Sequence, residues 1–420
     1  MTGNIDVIVI GGGYAGTMAA NRITQRDDVT VTLINPRPDF VERLRLHQLV
    51  GGSDDAVVNY REVLADSIKL VIDTATRIDT VRRRVILASG GAIQYDYLIY
   101  AVGSGSTNSD VPGASEFAYP IATLEEAQQL SQVLAAAPAT AAVTVVGAGP
   151  TGIETAAELA EVGRSITLVC GGVLGPYMHP RARRSLAKRL VKLGVTLVEG
   201  PDTRVTAVTR DAVQLASGRV LPSTLTIWTT GFGIPDLACR SGLSTDTVGR
   251  LITDETLTSI DDVRIVAAGD CAAPSNLPLR MSAQAAQPLG SHAADTVLSR
   301  IAGKQPASIN IAVLSQCISL GRHSGVYQFA SRQDIANKFY LSGGIVAWIK
   351  ETSCNWVVAK LIQESRKPGS YTWPFKNHKR REAVAKFGER PTTGHSGTAT
   401  ALTSQKVDGQ TTMTRCRRHA

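Results

Sequence analysis

Ile5-Asp6-Val7-Ile8-Val9-Ile10-Gly11-Gly12-Gly13-Tyr14-Ala15-Gly16 decides the fold. Its first six residues are almost unbroken apolar and β-branched, as expected of a strand buried on both faces of a parallel sheet. The glycines then demand a tight turn, and residues 17–26 are helix-compatible. A second apolar run over 29–34 ends at Asn35-Pro36. Strand, glycine turn, helix and strand within about 30 residues make one βαβ unit. The pattern recurs downstream: apolar 142–146, the turn Gly147-Ala148-Gly149-Pro150-Thr151-Gly152, a helix over 153–162 and a returning strand over 166–169. Two such units imply two dinucleotide-binding units in one chain.

Between and after them, residues 84–87 and 92–93 flank Ser89-Gly90-Gly91 as a hairpin, and 213–221 form another around Ser217-Gly218. Residues 123–136 read as a helix, with Thr123 as N-cap and Glu126 completing a capping box. A longer helix over 282–301 contains Pro288, which should kink it or mark its first turn. The fold class is α/β: two doubly wound Rossmann-like nucleotide-binding domains, the second inserted in the first, plus a small C-terminal α+β domain. The expected boundaries are 1–110 with 255–310, then 111–254, then 311–387, and a disordered basic tail over 388–420.

Composition narrows the classes. The 420 residues exceed one core, and 43% hydrophobic against 19% charged residues argue for an ordered chain. No run approaches the ~18 apolar residues of a spanning helix, and the N-terminus lacks a basic signal-peptide region. Six cysteines lie at least 32 positions apart, a spacing that suits neither a zinc site nor a CxxC pair. No metal site is expected, and the reading is cytoplasmic with reduced thiols. The net charge of +8 arises in residues 364–420, where 12 Lys/Arg face 4 Asp/Glu; the rest of the chain balances. No folded domain is therefore basic, and no specific nucleic-acid partner is implied.

The fingerprints carry chemistry. Gly11 permits the turn, Gly13 lets backbone approach a pyrophosphate, and Gly16 lets helix pack on strand, with Tyr14 and Ala15 opening the helix whose N-terminus faces the phosphates. Gly147, Gly149 and Gly152 repeat those roles, with Pro150 and Thr151 between the last two. An acid should follow the second strand to bond a ribose. The first unit offers Asn35, and the second only Cys170-Gly171-Gly172, with arginines 181, 183 and 184 downstream. NADH and NADPH both stay open as substrate.

With both fingerprints in place, the chain resembles the two-dinucleotide flavoproteins of the pyridine nucleotide-disulphide oxidoreductase superfamily, in which the N-terminal site holds FAD and the internal one NAD(P)H. Ala101-Val102-Gly103-Ser104 resembles the ATG strand end of the first domain, Trp228-Thr229-Thr230-Gly231 the second such end, and Ala268-Gly269-Asp270 the late GD motif, whose aspartate bonds the flavin ribityl chain. The family's redox-active cysteine pair is missing, so electrons must go to a separate acceptor. The stretch from Gly147 through Glu154 to Ala160, and Ala283-Gln284-Ala285-Ala286-Gln287 with Gly290 after it, resemble the corresponding segments of type II NADH dehydrogenases. That resemblance implies Glu154 near the flavin–nicotinamide contact, and Gln284 and Gln287 lining a quinone site beside Ala283. It implies hydride transfer from NAD(P)H to FAD, then two electrons to a quinone or other small acceptor. A reductase of ferredoxin or another soluble carrier, and a slow-turnover regulatory flavoprotein resembling apoptosis-inducing factor, are the alternatives. Trp348, Trp356 and Lys350/Lys360 suit an interfacial segment, yet Lys350-Glu351-Thr352-Ser353 interrupts its apolar face, and an ordinary core element of a C-terminal domain is the alternative. Peripheral contact with the inner face of the cell membrane and a homodimer therefore stay open.

Overall fold

The computed structural model describes residues 4–388; the expectation for the tail from 389 onward lies outside the described residues. In chain order, β1 (Ile5–Ile10), α1 (Tyr14–Ile23), β2 (Val29–Asn35), α2 (Leu46–Gly51), β3 (Lys69–Ile72) and β4 (Tyr97–Tyr100) build the first nucleotide-binding half. Next come β5 (Ala118–Pro120), α3 (Leu124–Ala136), β6 (Ala142–Val146), α4 (Pro150–Glu161), β7 (Ser165–Val169), α5 (Pro180–Lys192), β8 (Thr196–Val198) and β9 (Leu225–Trp228). Then β10 (Ile265–Ala267) returns to the first sheet, and α6 (Ala283–Ile301) follows it. The chain closes with β11 (Ser315–Ser319), β12 (Gly325–Ala330), β13 (Ala336–Ser342), α7 (Gly344–Arg366) and α8 (Arg380–Gly388).

The first sheet has the order β10-β4-β1-β2-β3 and the second β5-β9-β6-β7-β8. Every pairing in both is parallel, with Ile5 opposite Val29 and Ile10 opposite Ile34 in the first and Ala142 opposite Ser165 in the second. Parallel strands need both faces covered, and Val7, Ile8, Val9 and Ile10 are all buried. The fold is the expected doubly wound α/β pair.

Local expectations fare well. Arg84–Leu87 pairs antiparallel with Ala92–Gln94, and Ala212–Leu215 with Val220–Pro222. Thr123 caps α3 through a complete capping box. Pro288 neither opens α6 nor lies in its first turn; it sits inside the helix. Its missing N–H leaves the Gln284 carbonyl without the usual helical partner. The tryptophan-bearing stretch folds as one helix of 23 residues, α7. It packs beside the antiparallel sheet β11-β12-β13. Among the described residues, Cys170, Cys271, Cys317 and Cys354 are free thiols.

Candidate functional site

The two glycine turns are built alike. Gly11 and Gly147 adopt φ of +100° and +126°, a region that L side chains rarely enter. A Cβ on Gly11 would run into the Ala101 carbonyl, and one on Gly16 into the Gly11 carbonyl. Gly152 meets the Gly147 carbonyl in the same way. Gly13 and Gly149 are the opposite case, with nothing within 4 Å of a built Cβ. Each is the N-cap of its helix, and neither helix has a side-chain cap. Uncapped N–H groups beside an open backbone surface are what a pyrophosphate requires. Both cradles fit a dinucleotide.

The β2 end is more heavily engaged than its sequence suggests. Asn35 Oδ1 accepts the Gly12 N–H at 3.0 Å, and its Nδ2 donates to the Arg37 carbonyl at 2.9 Å. The Tyr60 hydroxyl donates to the Gly12 carbonyl at 2.7 Å. Asn35 thus braces the turn, and one Oδ1 lone pair remains for a ribose. At the β7 end, burial and then Glu199 push the Cys170 thiol up to about 12, so it stays neutral. Arg181 and Arg184 are exposed on α5, while the His179 N–H that precedes the helix donates to Gln328 Oε1 on β12 at 3.0 Å.

Behind the first cradle, Asp270 accepts a hydrogen bond from Ser104 Oγ at 2.7 Å. Arg43 donates to the same hydroxyl at 3.0 Å, approaches Asp270 at 3.6 Å and lies over the Phe232 ring. Gly103 and Gly269 have positive φ, and a Cβ on Gly269 would come within 3.0 Å of the Ala15 methyl. A cleft lined by Ser106, Thr107, Thr151, Trp228, Thr230 and Phe232 opens beside Gly231. Asp270, Ala101 and Gly103 therefore cluster at the first cradle, while Thr151 and Gly231 share the cleft at the second.

The third group was only partly legible. Glu154 is 7% exposed on α4. Its Oε1 accepts from Lys350 Nζ at 2.8 Å, from the Ser319 N–H at 2.9 Å and from Ser319 Oγ at 3.1 Å. His47 on α2 lies 3.9 Å from Oε2 and contacts the Ser319 hydroxyl. Burial disfavours every charge here. Even so, the Lys350 ammonium holds the Glu154 carboxyl below its usual range, and Glu154 with its neighbours holds Lys350 above its own. Burial pushes His47 down to about 4, so the imidazole is neutral near pH 7. Alongside, Arg45 reaches Glu351 at 2.6 Å and Asn355 at 2.7 Å, tying the α2 region to α7. Lys350 and His47 were missed in the sequence; the one signal was a lysine interrupting an apolar helix, and it marked an inward-facing partner.

The α6 glutamines part company. Gln287 is 1% exposed, and its Nε2 donates to the Val357 carbonyl of α7 at 2.6 Å. Its amide nitrogen serves the packing of two helices. Gln284 is half-buried near the helix start, between Ala283 and Ala285, and Ser282 caps the helix through the Ala285 N–H. Of the two, only Gln284 keeps a side chain without an intramolecular hydrogen bond.

The family model described as pyridine nucleotide-disulphide oxidoreductase matches residues 5–290. A NADH dehydrogenase-like protein of Mycobacterium tuberculosis is 31% identical over 354 residues, covering 76% of this chain and 87% of its own. A type II NADH:quinone oxidoreductase of Staphylococcus haemolyticus is 26% identical over 363 residues, covering 76% and 88%. The sulfide:quinone oxidoreductase of Aquifex aeolicus superposes with a TM-score of 0.74 at 19% identity, over 87% of this chain and 93% of its own, a likeness of fold.

Proposed function

We propose, from the premise that the chain belongs to the pyridine nucleotide-disulphide oxidoreductase family, that this FAD-dependent NADH dehydrogenase delivers its electrons to a quinone. Bound FAD supplies the redox chemistry, accepting hydride from NADH and passing electrons onward. The chain's own residues bind, orient and exclude water. Gly13 and Gly149 present bare backbone to the two pyrophosphates, Asp270 offers a carboxylate to the ribityl hydroxyls, and Glu154 sits one turn inside the second fingerprint helix. Gln284 is the side chain offered to a quinone carbonyl, with Gln287 bracing the helix behind it.

The observation that carries the quinone reading is α7. Lys350 turns inward to Glu154, so it does not interrupt the outer face. That face exposes Ile345 at 63% and Trp348 at 67%, and Phe339 and Leu341 are exposed on β13, the strand that precedes the helix. Lys338 and Lys360 each lie over an aromatic ring of the same region. Aromatic and aliphatic side chains with lysines around them suit a bilayer interface. No helix of the described residues is long and apolar enough to cross a membrane. Peripheral attachment to the inner face, where NADH is available, would bring a lipid-dissolved acceptor close to Glu154.

Steady-state turnover with NADH tests the proposal. Menadione and ubiquinone-1 should be reduced faster than ferredoxin or another soluble protein carrier. Poor rates with both quinones, alongside rapid reduction of a soluble carrier, would overturn the quinone assignment.

A further inference from the structure

The chain leaves the first nucleotide-binding half after β4 and returns to it after β9. The two crossings meet in a short antiparallel ribbon, with Gly105 opposite Gly233 and Ser106 opposite Phe232. On the outgoing strand, two serines are anchored in opposite directions. Ser104 Oγ donates to Asp270 of the first half at 2.7 Å, whereas Ser106 Oγ donates to Glu126 of α3 at 2.9 Å. Glu126 is itself fixed to the second half, since it accepts the N–H groups of Ala122 and Thr123. Only Gly105 separates the two serines, and nothing stands within 4 Å of a Cβ built on it. On the returning strand Gly233 faces it, and Gly231 has a φ of +78°. Glycines on both strands, between anchors to different halves, make this ribbon the soft point of the connection.

One side chain spans that point. Arg43 projects from the turn before α2, where Arg45 is 4% exposed and pinned to Glu351 and Asn355 of α7. The Arg43 guanidinium donates to Ser104 Oγ at 3.0 Å and approaches Asp270 at 3.6 Å. It also lies 6.0 Å from the centroid of the Phe232 ring on the returning strand, within reach of a cation–π contact. Phe232 lines the cleft at the second cradle together with Thr151 and Trp228. A single cation therefore reaches from the carboxylate beside the first cradle to the wall of the cleft beside the second.

We infer that Arg43 is a positioning residue for hydride transfer. It clamps the ribbon through Ser104 and Phe232 and so holds the NADH cleft in register with the FAD cradle. In that step the C4–H bond of NADH breaks and its electron pair leaves with the hydrogen, so NADH is oxidised to NAD⁺ and FAD is reduced. The two rings are held by different halves, and the rate depends on how one half sits on the other. A misplacement of about 1 Å costs on the order of a hundredfold in such a step, so a ribbon loosened at Gly105 slows it. The inference concerns only the entry of electrons from NADH, and it holds whichever acceptor removes them.

Anaerobic stopped-flow reduction of the FAD-loaded enzyme by NADH isolates this step. Arg43→Met and Phe232→Leu should each lower the limiting rate of flavin reduction about tenfold, with the Kd for NADH changed by about twofold at most. The double variant should be no slower than the slower single, because both substitutions undo one contact. Arg43→Lys keeps the charge but not the planar fork and should recover only part of the rate. Two readings stand apart from the rate. The long-wavelength charge-transfer absorbance of the reduced enzyme with NAD⁺, which reports ring stacking, should weaken in both single variants. The flavin midpoint potential should stay unchanged in Phe232→Leu, which leaves every charge in place. A full limiting rate in Phe232→Leu, multiplied losses in the double variant, a potential shift in Phe232→Leu that accounts for its rate, or an undiminished charge-transfer band would overturn the inference. If Arg43→Met does not retain FAD, Phe232→Leu and Arg43→Lys decide by the same readings, and wild-type behaviour in both overturns it.

Discussion

Replacing Lys350 with methionine should cost far more than replacing Lys350 and Glu154 together. Lys350 is held 2.8 Å from Glu154, with side chains only 10% and 9% exposed. Without the ammonium, Glu154 retains the two donors of Ser319, but its charge loses its one strong counterion. Breaking a buried pair costs about 3–5 kcal/mol. An independent ceiling comes from protonation: neutralising a group with an ordinary value of 4.5 at pH ~7 costs about 3.4 kcal/mol. The single variant should therefore lose about 3 kcal/mol, while Glu154→Gln with Lys350→Met should lose only about 1 kcal/mol. Three of the four tryptophans, at 348, 356 and 373, lie in the C-terminal region, so their fluorescence during urea unfolding reads the relevant unit. The pH dependence has a definite sign. Glu154 is depressed, so its contribution is present above about 4.5 and lost as pH falls through its folded value. Lys350 is raised, so its contribution is present below about 10.5 and lost as pH rises through its folded value. In Lys350→Met the carboxyl rises instead, and the variant's deficit should shrink as pH falls from ~7 towards ~5. Additive losses below about 1 kcal/mol each, with no pH trend, would refute a buried ion pair.

Gly13→Val should fold normally yet lose its flavin, because a side chain there meets no protein atom but fills the pyrophosphate's place; unchanged flavin absorbance in the purified variant would contradict the cradle. Gln287→Ala should destabilise by about 1–2 kcal/mol, because it removes a buried hydrogen bond between α6 and α7, whereas Gln284→Ala should barely change stability and should raise the quinone KM about fivefold. Stability and KM measured on both variants separate the two roles. Trp348→Ser with Ile345→Ser should weaken sedimentation with anionic lipid vesicles severalfold while leaving ferricyanide turnover intact; unchanged sedimentation would count against the interfacial face.

Much of this molecule is legible from local chemistry. The run Ile5–Ile10 and its glycines dictate strand, turn and helix within a dozen residues, and the capping box at Thr123 reports its own helix start. Contacts that span the chain are not legible in that way. Glu154 and Lys350 are 196 positions apart, and neither carries a mark naming the other. Asn35 could be assigned to the β2 end, but its engagement with Gly12 depends on how the turn folds back upon it. Gln284 and Gln287 share a motif and differ in role because the C-terminal helix lies against one of them. Of the interrupting Lys350-Glu351-Thr352-Ser353, only Lys350 turns inward, which the sequence could not tell; Thr352 and Ser353 stay exposed on the helix.

Gly290 of α6 lies so close to α1 that a Cβ there would run into the Ala15 backbone. The separation of these helices is therefore fixed main chain against main chain, with no flexible side chain to act as a cushion. Ala15 belongs to the first turn behind the Gly13 cradle, and Gly290 lies two turns behind the half-buried Gln284. A rigid spacer of this kind makes the two helix tips move as one lever: whatever shifts the phosphate-binding end also shifts the acceptor end. Gly290→Ala would consequently act as a wedge, altering cofactor retention and acceptor KM together from a position that touches neither ligand.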